Sequence, residues 1–283
     1  MRRAGLVIVW WIKKDLRIAD NAALCAAHAA ARLRGCPLVA LWVDEPEVYT
    51  APEYHPRRDR FVFDCLIDLD SSLSELNIPL WIARGRAVDV FAALIPVGLV
   101  AVYSHEETGV LWTFHRDLAL KRFLRERAVA WTEFPTNGVV RGLKNRDHWH
   151  ALYQERMKSA CLPIPAERLL STAGSTLRLM TEFPLGTEFF RWKSERQSVW
   201  AQRFGSWKGT QQRGGERVAH ALLERFLQPQ IHRKYIASLA KPKEAQTFSS
   251  RLSPYLAFGC ISSRQVLGRL TGNERSLSAF RSR

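Results

Sequence analysis

The sequence has no uninterrupted apolar run of about 18 residues, the length that a membrane-spanning helix needs. Its start is basic and then apolar, as in a signal peptide, but Lys13, Lys14 and Asp15 end the apolar run too early. The five cysteines show no Cys-x-x-Cys spacing, which argues against a zinc site or a disulfide framework. We therefore expect a cytoplasmic protein with reduced thiols.

Two further absences concern disorder and phosphate binding. Gly and Pro, 16 and 13 in 283 residues, are spread along the chain, and 47% of the residues are hydrophobic. This composition excludes a low-complexity or largely disordered protein. The chain has neither a Gly-x-Gly-x-x-Gly motif nor a Walker A loop, so the two commonest phosphate-binding loops are also excluded.

The positive charge is confined to one half of the chain. The formal net charge is +15, yet residues 1–134 hold 17 basic and 17 acidic side chains, against 25 and 10 in residues 135–283. A cationic half favours a polyanionic partner, because neutralised phosphates release counterions, with a generic basic surface as the alternative. Aromatic residues that could stack on bases, or form helix cores, lie among the basic ones: Trp192, Trp200, Phe204 and Trp207.

The first 134 residues alternate apolar runs with helical patterns. Strands are predicted at residues 6–11, 38–43, 80–83, 99–103 and 129–134. Helices are predicted at residues 22–33, 56–76, 87–94 and 113–127. Strands that are apolar throughout need cover on both faces, so this pattern predicts an α/β domain with a parallel sheet. Such sheets bind ligands at the carboxyl ends of their strands.

The rest of the chain is less regular and then helical. Residues 135–204 are predicted to form an interdomain connection with one helix at 149–158. Residues 205–283 are predicted to form a helical domain, with helices at 216–227 and 262–270. His148 and His150 would not face one another on a helix, so we predict no metal site, and no catalytic residue can be assigned.

Two segments carry candidate chemistry. Residues 11–24 read as a strand, a charged turn and a capped helix, which could hold an anion or a ring, although spacing alone favours a solvated turn. Residues 249–262 bring hydroxyls, backbone N–H groups and Arg251 together before a helix, a combination that could bind a diphosphate. The alternative for this second segment is an ordinary serine-rich helix cap with Pro254 in its first turn.

Together these motifs resemble the photolyase/cryptochrome flavoprotein family. The run from Trp11 to Arg17, with Asp20 and Asn21, is similar to that family's Trp-Phe-Arg-Arg-Asp-Leu-Arg…Asp-Asn signature. Residues 249–254 are similar to its Thr-Ser-Arg-Leu-Ser-Pro stretch. Other similar segments are residues 105–109, 116–117, 137–141 and 214–227.

The resemblance implies a fold and a function. It implies a Rossmann-like antenna domain followed by an incomplete all-helical domain that binds FAD. Reduced FAD would repair cyclobutane pyrimidine dimers under blue light by electron transfer, the reaction of a deoxyribodipyrimidine photo-lyase; a cryptochrome-type photoreceptor is the alternative. The implied partner is damaged duplex DNA, held by the basic half, and we expect a monomer. An antenna chromophore of folate or deazaflavin type is also implied.

The resemblance further implies which residues bind FAD. These are Tyr235, Ser249, Ser250, Arg251, Leu252 and Ser253, with Ser249 in place of the usual Thr. Two departures matter: Leu239 stands where many members carry an Arg, and Trp112-Thr113 stands where folate-binding members have Asn-Glu. Two other classes remain open, a non-catalytic chromophore or nucleotide module and a basic nucleic-acid adaptor. Flavin absorbance of the purified protein would separate them from the leading hypothesis.

In the family, the flavin domain continues for well over a hundred residues beyond the position that matches Arg283. The resemblance therefore implies a C-terminally truncated chain that holds about half of a flavin site. We expect the purified 283-residue chain to show no light-dependent repair of thymine dimers in an oligonucleotide assay, with a complete photolyase as positive control. Clear turnover by the chain alone would contradict this expectation.

Overall fold

A computed structural model describes residues 6–136, 138–169, 188–191 and 212–270, and for 188–191 the backbone alone. The aromatic residues at positions 192, 200, 204 and 207 lie outside the described residues, as does position 137. Among the described helices, none is both long and apolar enough to cross a membrane.

The first part of the chain is an α/β unit built on parallel strands. The strands are β1 (Val7–Ile12), β2 (Leu38–Asp44), β3 (Leu80–Arg84), β4 (Leu99–His105) and β5 (Ala130–Phe134). The helices are α1 (Ala22–Arg34), α2 (Glu47–Thr50), α3 (Pro56–Glu75), α4 (Ala87–Leu94) and α5 (Leu111–Glu126). The five strands pair in parallel in the order β5-β4-β1-β2-β3. The predicted α/β class with a parallel sheet is confirmed.

A sixth strand extends this sheet. Residues Glu188–Arg191 form β6, which pairs antiparallel with β3. This strand belongs to residues 135–204, the predicted interdomain connection, so part of that connection joins the sheet of the first unit. The boundaries of the three predicted regions themselves stay predictions.

The all-apolar strands fill two cores, one on each face of the sheet. In β1, Ile8 and Trp10 face the core shared with α1 and α3, whereas Val9 and Trp11 face the core under α4 and α5. Successive side chains of a strand point to opposite faces, so one continuous apolar run supplies both cores.

The predicted end signals of α1 are used as expected. The Asn21 side chain accepts a hydrogen bond from the Leu24 N–H at 2.9 Å, which satisfies one of the unpaired donors of the first turn. Gly35 ends the helix in the left-handed conformation, at φ +59°, and its N–H donates to the last turn.

The second part of the described chain is helical. A short 3₁₀ turn (Arg146–His148) precedes α6 (Trp149–Lys158). The remaining helices are α7 (Glu216–Leu227), α8 (Pro229–His232), α9 (Tyr235–Ser238), α10 (Pro242–Phe248), α11 (Ser253–Ala257) and α12 (Ser263–Leu270). The predicted helices at 149–158, 216–227 and 262–270 correspond to α6, α7 and α12. We call residues 212–270 the helical part.

The helical part packs directly on the α/β unit. Its buried side chains, among them Leu223, Phe226 and Tyr255, join the core that contains α1 and α3. Backbones approach closely at two glycines. A Cβ at Gly214 would lie 2.1 Å from the carbonyl oxygen of Phe61, and one at Gly259 would lie 2.0 Å from that of Lys14. Only glycine allows these two contacts.

We predict that Gly259→Ala destabilises the protein by roughly 3 kcal/mol, because the new methyl group would overlap a backbone carbonyl at φ +66°. Gly268→Ala is the matched control. It lies within α12, and among the described residues no atom beyond its chain neighbours and its own helix backbone lies within 4 Å of its Cβ position, so it should gain up to about 1 kcal/mol. Denaturant unfolding of both variants measures the difference, and equal stabilities would contradict the close approach.

Candidate functional site

The strand order places a crevice beside β1. From β1 the chain builds β2 and β3 on one side of the sheet, and then returns to place β4 and β5 on the other side. The carboxyl ends of β1 and β4 therefore form the switch point at which open α/β sheets bind ligands.

A buried carboxylate and a buried imidazole meet at the carboxyl ends of these two strands. Asp15 follows β1 and His105 ends β4, and the Asp15 Oδ2 atom lies 2.9 Å from His105 Nδ1. The Trp10 indole N–H donates to the same carboxylate at 3.1 Å. Burial by itself would raise the pKa of Asp15, but the hydrogen bond and charge of His105 lower it below its usual value. The hydrogen bond between Asp15 and His105 ties the ends of two neighbouring strands together.

The charged turn of residues 13–20, here called the β1–α1 turn, is not a solvated turn. Lys13 is buried and its Nζ lies 3.1 Å from Asp117 Oδ2. Arg17 Nη1 donates to the Gly259 carbonyl at 2.9 Å, and Asp20 pairs with Arg264. The turn is the surface on which the helical part docks, so its charges hold the protein together instead of meeting a free anion.

Glu216 completes this joint from the helical side. As the first residue of α7, it accepts hydrogen bonds from the backbone N–H groups of Ile18 and Ala19 at 2.8 and 3.0 Å. Burial raises the pKa of Glu216, and these two hydrogen bonds oppose that shift. Sequence reasoning placed Glu216 in a helix but found no role for it, because its partners are 197 and 198 residues away.

The predicted FAD-binding residues other than Tyr235 form one short segment. We call Ser249, Ser250, Arg251, Leu252 and Ser253 the serine-rich segment. Ser249 directly follows α10, and Ser253 begins α11. Leu252 is buried, Ser253 is exposed, and the other three residues are half-buried.

The backbone of the serine-rich segment is shaped to gather N–H groups. Arg251 has φ +56° and Leu252 is right-handed, a pairing of opposite hands that turns successive N–H groups towards one point. Leu252 N–H makes only a long 3.4 Å contact with Ser250 Oγ, and Gln212 fixes the Arg251 carbonyl at 2.8 Å. No acidic side chain in the described part of the chain pairs with the Arg251 guanidinium. Hydroxyls, convergent N–H groups and an available cation fit a phosphate group.

Tyr235, the sixth predicted residue, lies in α9, outside the serine-rich segment. Its ring is buried and packs edge-on against Phe226 at a centroid distance of 5.2 Å. Among the described residues, no hydrogen bond or ring contact joins Tyr235 to the serine-rich segment. Tyr235 and Leu252 both belong to the core that the helical part shares with α1 and α3. The role of all six residues in binding FAD stays a prediction.

A second candidate region includes residues 11–14 of the segment that the sequence predicts could hold an anion or a ring, but its other walls were not assigned from the sequence. A cavity of about 290 Å³, here called the tryptophan cavity, lies at the carboxyl ends of β1 and β2. Its walls include three indoles and charged groups: Trp11, Trp42, Trp112, Lys14, Glu45 and Arg116. The helical part closes one side with Ala257 and Phe258.

The polar groups of the tryptophan cavity form a dense ion network. Arg116 Nη1 lies 2.6 Å from Glu45 Oε2, and the Arg116 guanidinium stacks 4.9 Å from the Trp11 ring. The buried Trp112 Nε1 has no hydrogen-bond partner among the described residues. Aromatic walls and an unsatisfied N–H suit a flat conjugated ligand with an acceptor group. The acidic residues at the end of β2 were the sequence feature that could have indicated this region.

The chain is similar in sequence to known proteins. The DNA photolyase family model matches residues 8–147. Cryptochrome-1 of Gallus gallus is 25% identical over 291 residues, and cryptochrome-1 of Mus musculus is 26% identical over 288 residues. These alignments cover 94% of this chain but only 43% and 44% of the relatives, so the chain spans less than half their length.

Solved structures share the fold. The photolyase of Sulfolobus tokodaii, determined with two FAD molecules, superposes with a TM-score of 0.68 at 19% identity. The class III photolyase of Agrobacterium tumefaciens superposes with a TM-score of 0.65 at 23% identity. The two superpositions cover 97% and 99% of this chain, and 57% of each neighbour.

The tryptophan cavity contains one carboxyl group, that of Glu45, whose pKa is strongly raised. Burial raises the pKa of Glu45 from 4.5 to about 7, although Arg116 opposes the shift. A raised folded-state pKa stabilises the fold at low pH, and this contribution is lost as the pH rises from about 4.5 through 7. We predict that wild-type protein loses about 2 kcal/mol more than Glu45→Gln between pH 5 and 8.

Denaturant unfolding at several pH values measures this difference. Glu244→Gln, on the exposed face of α10, is the matched control and should follow the wild-type pH dependence. Parallel pH profiles for wild type and Glu45→Gln would show that Glu45 is ionised throughout, which contradicts the raised pKa.

Proposed function

The chain belongs to the photolyase/cryptochrome family. We propose that it acts as a blue-light flavoprotein in the repair of cyclobutane pyrimidine dimers in DNA. The observation that carries this proposal is the serine-rich segment, whose left-handed Arg251 and right-handed Leu252 turn successive N–H groups towards one point. FAD is the cofactor whose diphosphate this segment would hold. When bound, reduced FAD supplies the electron that splits the dimer under blue light.

The contribution of this chain to FAD binding is electrostatic and positional. The Ser249 N–H already donates to the Ala245 carbonyl at 3.0 Å. The other N–H groups of the serine-rich segment and the hydroxyls of Ser249 and Ser250 would donate to the diphosphate oxygens, and Arg251 would balance their charge. Gly259 and Arg17 fix the chain just after this segment against the β1–α1 turn. The phosphate donors are therefore held in place before the cofactor arrives.

The tryptophan cavity is the proposed antenna site. A folate-like or deazaflavin-like ring would stack on its indole walls and accept a hydrogen bond from Trp112 Nε1. Trp112 and Thr113, the two positions that depart from the folate-binding pattern, both line this cavity. This departure favours a flavin-like ring over a folate.

The basic half of the chain is the proposed DNA-binding surface. Its exposed cations in the described helical part include Arg213, Arg233, Lys234, Lys241 and Lys243. If they contact phosphates, affinity for duplex DNA will fall steeply with salt, and a flipped-out dimer will bind more tightly than intact DNA.

A photoreceptor role is the second candidate, favoured by the curated relatives named above, which are cryptochromes. Both roles use the same cofactor site. A preference for dimer-containing DNA over intact DNA supports repair, and flavin binding without any such preference supports signalling.

We predict that Arg251→Gln weakens FAD binding by about tenfold or more, because a charge-assisted hydrogen bond to phosphate contributes roughly 1.5–3 kcal/mol. Arg269→Gln is the matched control, an exposed arginine of α12 paired with Glu224, and should leave the affinity unchanged. Isothermal titration with FAD and with riboflavin, which lacks phosphate, measures both effects.

Riboflavin binding should not respond to Arg251→Gln. If FAD binding instead falls with Trp112→Leu and is untouched by Arg251→Gln, the flavin occupies the tryptophan cavity. The serine-rich segment then has no role in holding phosphate.

A further inference from the structure

Two cysteines meet where the helical part docks on the α/β unit. Cys65, on α3, and Cys260, which follows α11, are both fully buried. Their Sγ atoms lie 3.4 Å apart although 195 residues separate them in sequence. A disulfide bond is about 2.05 Å long, so the sulfurs need to approach by roughly 1.4 Å.

The backbone around both thiols is tightly held. Beside Cys65, a Cβ at Gly214 would lie 2.5 Å from the sulfur, so the neighbouring chain already touches it. Beside Cys260, the Gly259 carbonyl accepts from Arg17 at 2.9 Å and the Cys260 N–H donates to Tyr255 at 2.7 Å. These contacts keep the thiols facing one another whenever the two parts are docked.

We propose that Cys65 and Cys260 are a redox modification site that closes to a disulfide and joins α3 covalently to the helical part. Each thiol loses its proton and one electron as the S–S bond forms. A two-electron thiol oxidant, such as a diazene or a small disulfide, takes up the two electrons and two protons. The bond would anchor the chain just beyond the serine-rich segment.

Burial sets when this reaction can occur. Loss of solvation, with the neighbouring Cys260 thiol, raises the pKa of Cys65 well above its usual value. Thiolate is the reactive form, so the docked thiols are protected and react when the interface opens transiently. Cross-linking should therefore be slower than modification of the exposed Cys161.

Oxidation of the folded, full-length chain with diamide tests the proposal without any flavin. Trypsin digestion without reduction should yield residues 61–84 joined to residues 252–264, lighter by two hydrogen atoms than the separate peptides. The thermal midpoint of the oxidised protein should rise by about 5 °C, and dithiothreitol should reverse the rise.

Variants separate this bond from other thiol chemistry. Cys161→Ala should behave as wild type, whereas Cys65→Ala and Cys260→Ala should lose both the linked peptide and the thermal shift. The mass measurement on wild-type protein stands even if a variant fails to fold. Absence of the linked peptide while Cys161 is fully modified would overturn the proposal. So would linkage to Cys25 or Cys36 at an equal yield.

Discussion

One carboxylate satisfies the backbone at the joint on which the rest of the molecule depends. Buried backbone N–H groups need acceptors, and those of Ile18 and Ala19 lie in a turn that no strand or helix pairs. Glu216 supplies both acceptors from the helical part. Without it, the buried N–H of Ile18 would be unsatisfied, at a cost of about 1–3 kcal/mol, and the partly buried N–H of Ala19 would lose its acceptor. The sheet and the helices are therefore complete only together.

This dependence links the two candidate ligand regions through α11. Ser253, at the start of that helix, belongs to the serine-rich segment, and Ala257, at its end, lines the tryptophan cavity. The five residues of α11, with Ser253 and Ala257 as its two ends, span roughly 7 Å. A shift of α11 would change the donors of one region and the wall of the other at the same time.

The sequence predicts the regular elements well and the joints poorly. Strands such as β1 and β2 carry their own signal, because residues buried on both faces must be apolar. The Asn21 cap and the Gly35 stop of α1 can also be predicted, because each makes its contacts within a few residues along the chain. The ring contact of Tyr235 with Phe226 could not be predicted from the sequence, because it depends on tertiary packing.

Sequence analysis did not predict two short or strained features, for other physical reasons. Strand β6 has four residues, and its pairing with β3 is decided by a distant edge instead of by its own pattern. The left-handed backbone at Arg251 could not be predicted, because the residue at this position is not a glycine. The resemblance to a known family located the serine-rich segment, yet the conformation that suits it to phosphate came only from the structure.

The placement of β6 also bears on how molecules of this protein meet one another at high concentration. A strand at the border of a sheet exposes a row of unpaired peptide groups and invites another polypeptide to add itself there. Because β6 occupies that position beside β3, the apolar β3 is shielded. At the opposite border, β5 is short, and Glu133 within it pairs with Arg141. The border strand β6 is itself only four residues long, so both borders offer an incoming polypeptide a short strand, which disfavours intermolecular β-pairing.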